Sequence, residues 1–167
     1  MKKPISHIRC HLAFCIAVFV LLVLSDVSWA ADAPPRKPSK ADKCPVCGMF
    51  VYKYPDWVGQ VIFKNGSVDY FDGAKDLFKY YFDLKKYNPK RSKTDIQAIY
   101  VSEYYNMEPL DAKEAYFVIG SDVYGPMGRE LIPLATEADA EAFRKDHKGK
   151  RILRFQEVTP KVLEKLD

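Results

Sequence analysis

The spacing of apolar residues along this chain changes period several times, and each change marks the edge of an element. In DWVGQVIFKNGSVDYFDG (56–73), apolar and β-branched residues form two short runs on either side of Asn65-Gly66, the preferred dipeptide of a two-residue hairpin turn. Strands are expected over about 57–64 and 67–71. The period then lengthens. Ala74, Leu77, Phe78 and Tyr81 recur at helical spacing behind Asp72, a residue suited to capping, so a helix is expected over about 73–86 with those four on its buried stripe. After the basic loop KKYNPKRSK (85–93), DIQAIYVSEYY returns to strand over about 96–103.

The second half repeats the order. AYFVIGS (115–121) and RELIPL (129–134) read as strands, and Thr136 with Asp139 signals the start of a helix over about 136–147 that Gly149 can end. KRILRFQEV (150–158) supplies the returning strand, and a short helix follows from Thr159. The expected fold is α+β: two ββαβ modules in tandem, 44–106 and 107–167, with antiparallel or mixed sheets and a short C-terminal helix. The copies differ at their hairpins. Where the first turns through Asn65-Gly66, the second carries SDVYGPMGRE, whose Gly125-Pro126 and Gly128 place Met127 on a turn.

The beginning of the chain follows neither period. Lys2, Lys3 and Arg9 precede an uncharged apolar run from Leu12 to Leu24, and Ser28-Trp29-Ala30 has the small-x-small form of a cleavage signal, so residues 1–30 read as a signal peptide. The run is shorter than the roughly 20 residues of a spanning helix, which makes an uncleaved anchor the lesser alternative. No cysteine stands at the cleavage point to carry a lipid. Residues 31–43, ADAPPRKPSKADK, have three prolines and no apolar period and read as a flexible tether. The expected location is periplasmic.

Composition narrows the function. Export removes three basic residues and one acidic residue from totals of 26 and 22, leaving a nearly even balance that gives no reason to expect a polyanionic partner. Nucleic acid is not expected. Of four cysteines only Cys44 and Cys47 survive, with His147 and with Met49, Met107 and Met127. Met107 reads as a packing or loop residue and His147 as a solvated residue at a helix end.

DKCPVCGMFV (42–51) carries the chemistry. A thiol-disulfide exchanger sets its first sulfur at a helix N-terminus, whereas this pair follows a proline-rich segment and precedes Gly48. A structural disulfide here would close too small a loop to contribute much. Zinc requires four ligands in a closed site, more than one chain offers, so a zinc site would have to be shared across a dimer. Thiolates and thioethers together select Cu(I), and Cys44, Cys47 and Met49 lie within six residues of one another, with Met127 a soft donor on a separate turn. Whether Met49 points at a metal or into the core is open at this level.

CPVCGM, YFDGAKDLF and YGPMGRELIP, in that order, resemble the NosL family of accessory proteins for nitrous oxide reductase maturation. The resemblance extends from about Cys44 to Gln156. It implies a non-enzymatic, exported Cu(I) chaperone that donates copper to a cuproenzyme such as nitrous oxide reductase, with the family's sulfur motifs falling on Cys44, Cys47, Met49 and Met127. A monomer or weak dimer is expected. The other readings left open are a thiol-disulfide redox protein or an enzyme using the cysteine pair on a thiophilic substrate.

Overall fold

Two antiparallel sheets carry the chain, and in each the first strand lies at the centre with its hairpin partner on one side and the strand after the helix on the other. The computed structural model describes residues 33–167; the expected signal peptide, with Cys10 and Cys15, lies outside them. The first sheet has the order β2-β1-β3-β4, from strands β1 (Gly59–Phe63), β2 (Val68–Phe71), β3 (Ile96–Ser102) and β4 (Pro109–Asp111). The second has the order β6-β5-β7, from β5 (Tyr116–Gly125), β6 (Gly128–Leu134) and β7 (Arg151–Arg154). The α+β class and the doubled ββαβ order are therefore present, with β4 as an edge strand that the apolar pattern did not announce.

Helix α1 (Ala74–Phe82) lies against β1 and β2 of the first sheet and β6 of the second. Both sides of the helix are therefore covered, and Leu77, Phe78 and Tyr80 are fully buried. Phe78 meets Phe117 edge-on at 5.2 Å. Burial of each such side chain contributes about 1.5–3 kcal/mol. Tyr81 was expected on this stripe, but Tyr80 takes the deeper place because its hydroxyl donates to Asp69 on β2 and accepts from Asn88 Nδ2. The expected continuous helix breaks at Asp83, whose carboxylate accepts from the Lys86 N–H and starts a separate turn, α2 (Leu84–Tyr87).

Alternation along β5 and β6 gives the second sheet two apolar faces. Phe117 and Leu131 face the core around α1, whereas Val118, Ile132 and Leu134 pack against Ala140 and Phe143 of α3 (Glu137–Asp146). Thr136 caps α3 as expected, its hydroxyl oxygen accepting from the Asp139 N–H at 3.1 Å. The short C-terminal helix α4 (Pro160–Leu163) packs beside α1.

The two hairpins exchange the roles that sequence suggested. In the first, the Phe63 N–H donates to Ser67 O, so three residues make the connection and Gly66 occupies the left-handed region at φ +82°. In the second, Gly125 pairs with Gly128, so Pro126-Met127 is the two-residue turn at the tip of a long hairpin. The segment expected to be a tether is laid along the first sheet: the Arg36 N–H donates to Gln60 Oε1 at 2.8 Å, and the Tyr100 hydroxyl donates to Ala33 O at 3.1 Å.

Candidate metal site

Residues 42–51 fold back on themselves as a clasp. The Cys44 N–H donates to Met49 O at 2.9 Å, the Gly48 N–H to Cys44 O at 2.9 Å and the Val51 N–H to Asp42 O at 3.1 Å, with Lys43 bridged to Phe50. Gly48 sits at φ +80°, a conformation glycine adopts without the cost a β-carbon brings. The clasp aims backbone N–H groups at sulfur, those of Val46 and Cys47 toward Cys44 and that of Met49 toward Cys47.

Opposite the thiols stand two carboxylates. Asp72, just ahead of α1, and Asp76, in its first turn, are both buried. The Cys47 thiol donates to Asp72 Oδ1 at 3.2 Å and the Cys44 thiol to Asp76 Oδ2 at 3.4 Å. One donor atom from each of the four residues lies within 4.8 Å of the other three. Asp72 Oδ2 is buried without a hydrogen-bond partner, a costly state unless something else meets it.

Burial pushes the Cys44 thiol far above its ordinary value, against the pull of the Cys47 and Val46 N–H groups, and the charge on Asp76 raises it further. The Cys47 thiol is pushed up to about 12, first by burial and then by Asp72, opposed by the Met49 N–H. At neutral pH both sulfurs are therefore protonated. A thiol-disulfide exchanger works through a thiolate whose pKa is lowered, so this environment is the reverse of what exchange chemistry needs.

Asp72 is free to face the thiols because another residue caps α1. Sequence suggested Asp72 for that task, yet the N-terminus of the helix is met by Glu130 of β6, whose Oε1 accepts from the Lys75 N–H at 2.5 Å and from the Leu131 N–H at 2.9 Å. Burial raises the Glu130 carboxyl to about 8, opposed by those two N–H groups and the Lys75 charge. Gly73 makes the approach possible, since a β-carbon there would stand 2.3 Å from Glu130 Oε2. Lys75 Nζ donates to Met127 O at 2.8 Å and Leu166 O at 3.2 Å, so the helix also holds the hairpin tip.

Of the residues singled out from sequence, Cys44 and Cys47 come together. Met49 closes the clasp half-buried, its sulfur accepting from the Tyr54 hydroxyl at 3.9 Å. Met127 sits on the turn foreseen for it, with its backbone tied to Lys75 and its side chain exposed. His147 belongs elsewhere, stacked on Phe143 at 4.3 Å with Nδ1 3.4 Å from Asp122, and so is not a simply solvated residue. Met107 is 55 % exposed in a loop. Sequence reasoning missed Asp72 as a site residue, Asp76 and Glu130. The signal available was the i, i+4 spacing of two carboxylates, Asp72 just ahead of the helix and Asp76 in its first turn, in a stretch otherwise rich in apolar residues.

Comparison with known proteins places these features. The NosL family model matches residues 35–163. A copper-binding lipoprotein NosL of Stutzerimonas stutzeri is 30 % identical over 126 residues, 74 % of this chain, and the chain spans 65 % of that relative's length. The crystal structure of the copper chaperone NosL from Shewanella denitrificans superposes with a TM-score of 0.63 at 28 % identity, covering 77 % of this chain and 97 % of that one.

Proposed function

Because this chain belongs to the NosL family, we propose that it is a periplasmic, non-enzymatic metallochaperone whose cargo is Cu(I), held by Cys44 and Cys47 with a thioether from Met49 or Met127. The observation that carries the reading is the pocket itself: two thiols on one clasp, 4.8 Å or less from two buried carboxylates, one of which has an unmet oxygen. Thiolate and thioether donors favour soft cations over hard ones such as magnesium, and a thioether from Met49 or Met127 favours Cu(I) in particular. The relatives' names, a copper-binding lipoprotein and a copper chaperone, support the same cargo. The apolar leader read from residues 1–30 supports export.

The pocket's electrostatics suit a carrier. Capture of Cu(I) displaces the thiol protons, and the neighbouring carboxylates, which raise both thiols, favour the return of those protons when an acceptor's ligand draws the ion away. Protons and cargo compete for the same sulfurs, so binding stays reversible. The acceptor we infer is a cuproenzyme, and the family resemblance favours nitrous oxide reductase.

Anaerobic Cu(I) titration of the reduced protein, with X-ray absorption to count sulfur ligands, tests the assignment. About one ion per chain is expected, with affinity sharply lowered by Cys44→Ser and by Cys47→Ser and lowered less by Met49→Leu or Met127→Leu. Unchanged affinity in both cysteine variants would sink it.

A further inference from the structure

Next to the Met127 turn the molecule gathers positive charge that its own structure does not use. A groove of about 540 Å³ opens between the second sheet and α4, and Arg129, Lys150, Arg151, Lys161 and Lys165 line it. Among the described residues none of these five side chains has an ion-pair or hydrogen-bond partner, although Lys75, Lys79, Arg144, Lys148 and Arg154 all do. The single acidic residue of the lining, Glu157, has one carboxylate oxygen engaged by the Arg154 N–H at 2.7 Å. Beneath the cations the floor is apolar, with Val162 and Leu166.

Five unpaired cations around one concavity repel one another, in a chain whose total balance is only +4. Such an arrangement is complementary to an anionic occupant. A small inorganic anion would leave most of the volume and all of the apolar floor unused. The lining holds no aromatic ring on which a base could stack, which argues against a nucleic acid. The occupant that uses both features is a short peptide with acidic residues and an apolar anchor.

We propose that this groove docks an acidic segment of the partner protein that receives the cargo; the inference rests on the carrier reading above. Its position supports the assignment, because Lys75 Nζ joins Leu166 O on the groove floor to Met127 O on the hairpin tip, and Arg129 follows that tip by two residues. A partner seated here lies alongside the turn that carries Met127. Rim charges of this kind act mainly on encounter rate and orientation.

The test uses the full exported chain and a fluorescein-labelled, end-blocked peptide of alternating acidic and leucine residues, with binding followed by anisotropy at low and physiological salt. Saturable, salt-weakened binding is expected, lowered about tenfold or more by Lys150→Glu with Lys161→Glu and less than about twofold by Lys85→Glu with Lys90→Glu, a control of equal charge in and just after α2, outside the groove lining. Absence of saturable binding, or equal loss in both pairs of substitutions, overturns the proposal. So does tighter binding to vesicles containing phosphatidylglycerol than to the peptide, which assigns the groove to a membrane surface. Cu(I) titration of the same groove variant is expected to match the wild type. Failure of the wild type to take up Cu(I) would overturn the carrier reading and leave the peptide result standing.

Discussion

Replacing Glu130 by Gln separates the capping role of this residue from its charge. Glu130 is 2 % exposed, and its Oε1 accepts from two backbone N–H groups that an amide oxygen can meet equally well. Burial raises its carboxyl from the ordinary 4.5 to about 8 in the folded protein. A group whose folded value is raised stabilises fully below the unfolded value, and that stabilisation is lost as pH rises through the folded one. Between about pH 5 and pH 8 the folded state keeps a proton the unfolded state has lost, so wild-type stability falls by about 1.4 kcal/mol per pH unit, roughly 3–4 kcal/mol across the window. Glu130→Gln carries no such proton. Urea denaturation of both proteins at each pH gives the difference directly, which cancels every other titrating group. The variant is expected to gain on the wild type steadily as pH rises and to be the more stable of the two at pH 8. A wild-type-minus-variant difference that stays flat across the window would refute the reasoning.

Gly73→Ala sets a β-carbon 2.3 Å from Glu130 Oε2 and is expected to cost about 1–3 kcal/mol by thermal denaturation, with most of that cost absent in a Glu130→Ala background. Tyr80→Phe removes the hydroxyl between Asp69 and Asn88 and is expected to cost about 1–3 kcal/mol, because it leaves Asp69 without its donor from α1. Since both thiols are protonated at neutral pH, each Cu(I) captured by the pair should release two protons to a weakly buffered solution, and apparent affinity should rise about 100-fold per pH unit. A release near zero would mean that the thiols are not the ligands.

What the sequence made legible was what local periodicity encodes. Both ββαβ units, the Thr136 cap and the position of Met127 follow from the spacing of apolar residues and turn formers within a dozen positions. What it hid depends on contacts between distant segments. Tyr80 outranks Tyr81 in the core because Asp69 and Asn88 lie within reach of its hydroxyl, a fact about β2 and the loop after α2. Asp72 has the identity and position of a helix cap, and local rules assign it one. Only the approach of Glu130, 58 positions later, takes that task away and turns Asp72 toward Cys47.

That exchange of roles ties the two halves of the chain together at the site. The thiols and their facing carboxylates all belong to the first ββαβ unit, but the residue that caps α1, the helix that bears Asp76 and follows Asp72, comes from the second. The return contact runs the other way, from Lys75 of the first unit to Met127 O at the tip of the second hairpin. Glu130 and Lys75 thus form a reciprocal pair across the modules, one fixing the carboxylate geometry and the other the turn that carries the distant thioether. Anything that moved the β5–β6 hairpin would have to break both hydrogen bonds at once, and would leave the buried Lys75 side chain without its Met127 acceptor. The duplicated topology is therefore not two independent folds but one support, in which the second copy holds the first copy's helix in register with the cysteine clasp.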